Sequence, residues 1–125
     1  MTDDHQRIRA LFESSCAAWN RGDIDGYLAA YWHSDKVRWV SEGIVHHGFE
    51  TIAAVCKARF NSPDNMGRLE VANLDIQLLG EGDALIFGEW IQTTRTTRPH
   101  GIFTVHLKKI EGEWLIVSDH SSTSG

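Results

Sequence analysis

The stretch GIFTVHLKKIEGEWLIVSDHSS, from Gly101 to Ser122, decides the fold. Two strand-like runs, Ile102 to Lys109 and Trp114 to about Ser121, flank Glu111-Gly112, a pair of the kind that closes a tight hairpin. Side chains of a strand alternate between faces. Phe103, Val105, Leu107 and Ile116 therefore define one apolar face, the inner one. Counting outward from a two-residue turn pairs Ile110 with Glu113 and Leu107 with Ile116. By the same count, Val105 lies opposite Ser118 and Phe103 opposite His120. Opposed residues share a face, so this register turns His120 inward beside Phe103 and Asp119 outward. A one-residue change in loop length would exchange the two.

Upstream of this hairpin the period-two pattern continues. Leu69 and Val71 alternate with polar residues, and so do Leu74, Ile76 and Leu78, but the phase moves by one between the sets. That predicts a β-bulge near Ala72-Asn73, which would bend the strand. Gly80-Glu81-Gly82-Asp83 reads as a turn, Ala84 to roughly Thr94 as a long strand, and Arg98-Pro99-His100-Gly101 as a break. A shorter hairpin, Val37 to Ser41 and Ile44 to Gly48, surrounds Glu42-Gly43.

The first part of the chain has helical spacing instead. Ile8, Leu11, Phe12, Ser15, Ala18 and Trp19 share a helix face. Asn20-Arg21-Gly22 ends that helix, and Asp23 reads as the N-cap of a short second one with Ile24, Leu28 and Tyr31 on its apolar face and Tyr27 beside them. A third helix presents Ile52, Val55, Cys56 and Phe60, and Asn61-Ser62-Pro63-Asp64-Asn65 breaks it. Ser122 to Gly125 reads as a mobile tail. Helices followed by adjacent strands imply a single α+β domain over residues 1–125. Its N-terminal helices pack in the concavity of a strongly curved, mixed but mostly antiparallel sheet. Helices cannot fill the open end of such a sheet, and an internal pocket remains.

Composition narrows the functions. With 42% hydrophobic and 23% charged residues the chain is built to fold rather than to stay disordered. No apolar run approaches the roughly 20 residues needed to span a bilayer. The acidic start, Met-Thr-Asp-Asp-His, lacks the features of a signal peptide, so a cytoplasmic location is expected. A net charge of −5, with no basic cluster larger than Arg95-Thr96-Thr97-Arg98, speaks against nucleic acid. Cys16 and Cys56 fall in separate helices and read as free, packed thiols. His46 and His47 are sequential in a strand and point to opposite faces; with no His-x-x-x-His or Cys-x-x-Cys spacing, no metal is expected. No glycine-rich phosphate loop or nucleophile elbow is present, and no cofactor is expected.

Four segments carry a resemblance: Trp19-Asn20-Arg21-Gly22-Asp23-Ile24-Asp25-Gly26-Tyr27-Leu28, Met66-Gly67-Arg68-Leu69, Gly88-Glu89-Trp90 and Gly101-Ile102-Phe103-Thr104. The ending Trp114-Leu115-Ile116-Val117-Ser118-Asp119-His120-Ser121-Ser122 strengthens it. Together they resemble the nuclear transport factor 2-like, or SnoaL-like, superfamily with its cystatin-like cone fold. Within it they are similar to a subgroup of short stand-alone bacterial proteins, distantly related to the calcium/calmodulin-dependent kinase association domain. The resemblance implies the cone fold and its pocket; it implies no single function, because isomerases, dehydratases, cyclases and non-catalytic association domains share the fold. Isomerases of the superfamily place a Tyr on the first helix, where this chain has Trp19. The subgroup often carries Arg where this chain has Glu89.

His120 is the candidate general acid or base, with Asp119 as the alternative; the plainer reading is a core histidine bonded to a neighbouring polar group. Trp19, Tyr31, Trp39, Trp90 and Phe103 are candidates for the wall of a pocket that takes a small hydrophobic ligand, against the plainer reading of core packing. Glu89 and His106 fall on the outer face by strand parity. Two functions follow: a cofactor-free lyase or isomerase acting on a small hydrophobic substrate, or a non-catalytic binding or association domain. Leu85, Phe87 and Ile91, with Leu115 and Val117, form an apolar outer face that predicts a homodimer through the sheet.

Overall fold

The Asp3 carboxylate accepts the backbone N–H of Gln6 at 2.8 Å and so opens helix α1 (Asp4–Asn20) in a computed structural model that describes residues 3–124. Gly22, at φ 80°, reverses the chain after α1 in the left-handed region. Asp23 then caps α2 (Ile24–Leu28) through the N–H of Gly26 at 2.9 Å. Strands β1 (Arg38–Ser41) and β2 (Ile44–His47) follow, then α3 (Phe49–Arg59). The segment read as a break holds one helical turn, α4 (Pro63–Met66), because Ser62 and Asn65 form a reciprocal capping box and Pro63 sits at the start. Four long strands complete the chain: β3 (Arg68–Leu78), β4 (Asp83–Thr93), β5 (His100–Ile110) and β6 (Glu113–Thr123).

The six strands form one open sheet in the order β2-β1-β6-β5-β4-β3. Every neighbouring pair is antiparallel except β1 with β6, which is parallel. Two hairpins close on Glu-Gly pairs with positive φ at both residues, 52° and 79° at Glu42-Gly43 and 53° and 83° at Glu111-Gly112. These values fit the right-handed twist of the flanking strands. The predicted bulge in β3 is present: the register moves between Ala72 and Asp75, and Asn73 has φ 54°. The inner face of the sheet, including Ile86, Val105, Leu107 and Ile116, meets Ile8, Phe12, Leu28 and Ile52 from the helices.

Two expectations from sequence are corrected. The tail is a strand as far as Thr123, since Ile102 pairs with Ser122 and Gly101 with Thr123. The inward placement of His120 is also wrong. The turn at Glu111-Gly112 and the pairing of Leu107 with Ile116 stand as read, but His106 pairs with Ser118 and leaves Val117 as an extra residue. This second bulge advances the register by one. Val105 lies opposite Asp119 and Phe103 opposite Ser121, so Asp119 is buried inside and His120 is exposed on the outer face.

Candidate functional site

Between the helices and the curved sheet lies a cavity of about 470 Å³. Trp19, Tyr31, Trp39, Trp90 and Phe103, the five aromatics singled out from sequence, all line it, and Asp119 lies in the same wall. Trp19 is fixed by its indole N–H, which donates to the Met66 carbonyl at 2.9 Å, and by edge contacts with Tyr27 and Phe60. Trp90 donates to the Ser122 carbonyl at 3.2 Å. Gly101 makes this geometry possible, because a Cβ there would fall 2.9 Å from the Trp90 indole nitrogen and closer still to the Ser122 carbonyl oxygen. Phe103 packs on Phe12 with ring centres 5.7 Å apart.

The polar centre of the cavity is a pair that sequence reading did not assemble. Tyr31 donates its hydroxyl to Asp119 Oδ2 at 2.6 Å, across 88 positions of sequence. Tertiary pairing brings them together. After α2 the chain runs alongside β6, with the Trp32 N–H on the Ile116 carbonyl and the Ile116 N–H on the Ala30 carbonyl. A parallel bridge joins Tyr31 to Ile116. Past the Val117 bulge the neighbour of β6 becomes β1, and Trp39 lies directly beside Asp119 on the inner face. Tyr27, which the helical pattern placed only beside the apolar face, also lines the cavity, its ring 6.1 Å from that of Tyr31.

Burial raises the Asp119 carboxyl to about 6, and the Tyr31 hydrogen bond and the neighbouring His120 offset part of that rise. The second oxygen, Oδ1, has no hydrogen-bond partner among the described residues. It is not sealed in, because no fully buried side-chain polar atom there lacks a partner. Burial and the adjacent Asp119 charge push both tyrosine hydroxyls above their usual range, so they remain neutral donors. Cys16 and Cys56 are free thiols on the cavity wall; desolvation raises Cys56 to about 11, which keeps it protonated. Glu89 is exposed and accepts from the Asn73 amide, and His106 bonds Asp83 at 2.8 Å, so neither enters the cavity.

Arg59 went unremarked in sequence. It lines the cavity from the last turn of α3, its guanidinium carbon 5.7 Å from the centre of the Trp39 ring. The only sequence signal for it was a basic residue one position before Phe60, at the end of an amphipathic helix.

An α+β cone whose helices and sheet enclose an aromatic cavity with one buried carboxylate defines the class of protein. The family model for the SnoaL-like domain matches residues 8–124, and the chain belongs to that family. No curated protein matches the chain. A nuclear transport factor 2-like protein of unknown function from Shewanella oneidensis MR-1 is similar over 96% of this chain and 99% of its own, at 30% identity and TM-score 0.92. Two more distant structures share the fold. A protein from Xanthomonas campestris provisionally named a calcium/calmodulin dependent protein kinase II association domain is 18% identical, with TM-score 0.78, covering 98% of this chain and 89% of its own. A ketosteroid isomerase-like protein from Erwinia carotovora atroseptica is also 18% identical, with TM-score 0.77, covering 100% of this chain and 99% of its own. No helix among the described residues is long and apolar enough to cross a membrane.

Proposed function

We propose that the chain is a cofactor-free isomerase or lyase acting on a small hydrophobic substrate, with Asp119 as the proton-transfer group in place of His120. The observation that carries this reading is the buried Tyr31–Asp119 pair at 2.6 Å, set in an aromatic cavity with the second carboxylate oxygen unpartnered. A carboxyl titrating near 6 is mostly ionised at neutral pH yet far more basic than an exposed one, as general-base catalysis requires. Oδ1 takes a proton from a carbon beside a carbonyl, and the C–H electron pair moves into that carbonyl. In a β,γ-unsaturated ketone, returning the proton to the far carbon of the displaced double bond completes an isomerisation; in a β-hydroxy ketone, the departing hydroxyl takes that proton and leaves as water, completing an elimination. Tyr31 holds the carboxylate in position. Tyr27, whose hydroxyl interacts with that of Tyr31, is the second neutral O–H on the cavity wall and would donate to the oxygen on which charge develops.

The test is a panel of small cyclic ketones and β-hydroxy ketones incubated with the protein in heavy water. Deuterium entering at the carbon beside the carbonyl, or loss of water, supports the reading when Asp119→Asn abolishes it. No exchange and no elimination across the panel counts against catalysis.

A second reading, a non-catalytic association domain, is favoured by the outer face of the sheet, where Leu85, Phe87 and Ile102 are 37%, 46% and 44% exposed. On either reading we propose that a second copy of the chain covers this face as a homodimer. Light scattering at micromolar concentration should give twice the chain mass; a clean monomer refutes it.

A further inference from the structure

Three charged side chains line the cavity: Asp119, Glu42 and Arg59. Asp119 is committed to Tyr31, and Glu42 accepts the Thr123 hydroxyl at 3.3 Å. Arg59 has neither an ion pair nor a hydrogen bond to any described residue. Arg59 is exposed at the cavity, and Arg9, Arg38, Arg95 and Arg98 also lack ion pairs; what sets Arg59 apart is that it is the only cation on the cavity wall among the described residues. The Trp39 ring steadies it and connects it to the carboxylate: the guanidinium lies over that ring, and Trp39 is the strand partner of Asp119 on the inner face. Arg59 and Asp119 thus both adjoin Trp39, whose ring is also stacked on His46 with centres 4.6 Å apart, so a ligand that touches Trp39 from the cavity has the cation and the carboxylate on the same wall.

We propose that the ligand is a small, ring-bearing carboxylic acid whose carboxylate is bound by Arg59, with its apolar body along Trp39 and its reactive end at Asp119. The planar guanidinium fork matches a carboxylate in a bidentate manner, and stacking on an aromatic ring removes part of its freedom before binding. Orientation follows from charge. An anionic group next to ionised Asp119 is repelled, so the carboxylate seats at the Arg59 end. Glu42 disfavours a second anionic group at the same cavity, so a monocarboxylate is selected. This inference rests on reading the cavity as a ligand site and adds to it the chemistry of the ligand.

Calorimetric titration of the full chain with naphthalene-carboxylate and with its neutral primary amide tests it. The two probes share a ring body and differ in charge. The unaltered chain should bind the carboxylate about tenfold tighter than the amide, and raising the salt should erode that preference. Arg59→Gln should bring the carboxylate down to the level of the amide while leaving the amide unchanged, and Arg59→Lys should restore part of the preference. Equal binding of both probes by the unaltered chain, or a carboxylate preference that survives Arg59→Gln, overturns the carboxylate inference and leaves the cavity as a site for neutral ligands. Binding of neither probe overturns both. The salt dependence is read on the unaltered chain, so the outcome does not depend on how the variants fold.

Discussion

The β3–β4 and β5–β6 hairpins are built alike, from two strands of 11 residues each, and each carries one extra residue. In β3 the extra residue lies at Asn73, whose side-chain amide donates to Glu89 on the outside of the molecule. In β6 it is Val117, and everything beyond it faces the cavity or the solvent according to that one insertion. The same backbone irregularity thus bends a strand in one hairpin and selects the chemistry of the site in the other. Without the Val117 bulge the cavity would hold a histidine, whose basic form is a neutral imidazole. With it, the cavity holds a carboxylate that burial has raised to about 6, a base that is anionic rather than neutral.

The sharpest way to break this comparison is to exchange the roles of the two neighbours in β6. Asp119→Asn should lower turnover of any substrate found by about 10²–10⁴-fold. His120→Ala, on the exposed face, should change it by less than about threefold. Steady-state kinetics on both variants checks this, and the opposite result would restore the unbulged register.

Stability gives the next largest effect. Asp119 is raised in the folded state above the 3.8 of an unperturbed carboxyl. Well below pH 3.8 the group is protonated whether the chain is folded or not. As the pH rises from about 4 through about 6 the unfolded chain ionises first, so the folded state loses stability. A rise of about two units corresponds to about 3 kcal/mol at neutral pH. Asp119→Asn cannot ionise and should melt in urea like the unaltered chain at pH 4 but be more stable by up to about 3 kcal/mol at pH 8. Parallel urea curves at the two pH values decide it; an Asn variant that loses stability at pH 8 would contradict the raised carboxyl.

Tyr31→Phe sharpens the same point. It removes the hydrogen bond that holds the Asp119 carboxyl down, so the midpoint of the pH dependence should move above about 6. The expected cost is about 1–3 kcal/mol for the partner left in a buried site. That cost should shrink in the Asp119→Asn background, which a double-mutant cycle measures. In the other hairpin, Asn73→Val should cost about 1–2 kcal/mol, because a β-branched residue resists the left-handed conformation at φ 54°. It should leave ligand binding and turnover unchanged. Loss of function there would show that the two bulges are not separable.

The two hairpins also differ in how much of them could be read. The Asn73 bulge announces itself, because Leu69 and Val71 are followed by Leu74 and Ile76 in the opposite phase and an asparagine stands at the junction. Around Val117 the residues Leu115, Ile116 and Val117 are apolar in succession, so no phase is marked and nothing in the pattern signals the step. Parity in β4 and β5 was readable throughout, and it placed Trp90 and Phe103 inside and Glu89 and His106 outside, as the structure does.

Sequence by itself therefore determined what depends on near neighbours. The helix cap at Asp23, the Glu-Gly turns, the Asn73 bulge and the apolar faces rest on interactions spanning a few residues. Tertiary structure decided which of Asp119 and His120 enters the cavity and which tyrosine meets it. The register of β6 beyond Val117 is held by hydrogen bonds to β5 on one side and, on the other, first to the segment after α2 and then to β1. Those partners come from distant parts of the chain, and only their joint pairing makes an extra residue at Val117 compatible with both neighbours. The burial that gives Asp119 its basicity exists only once they are all in place.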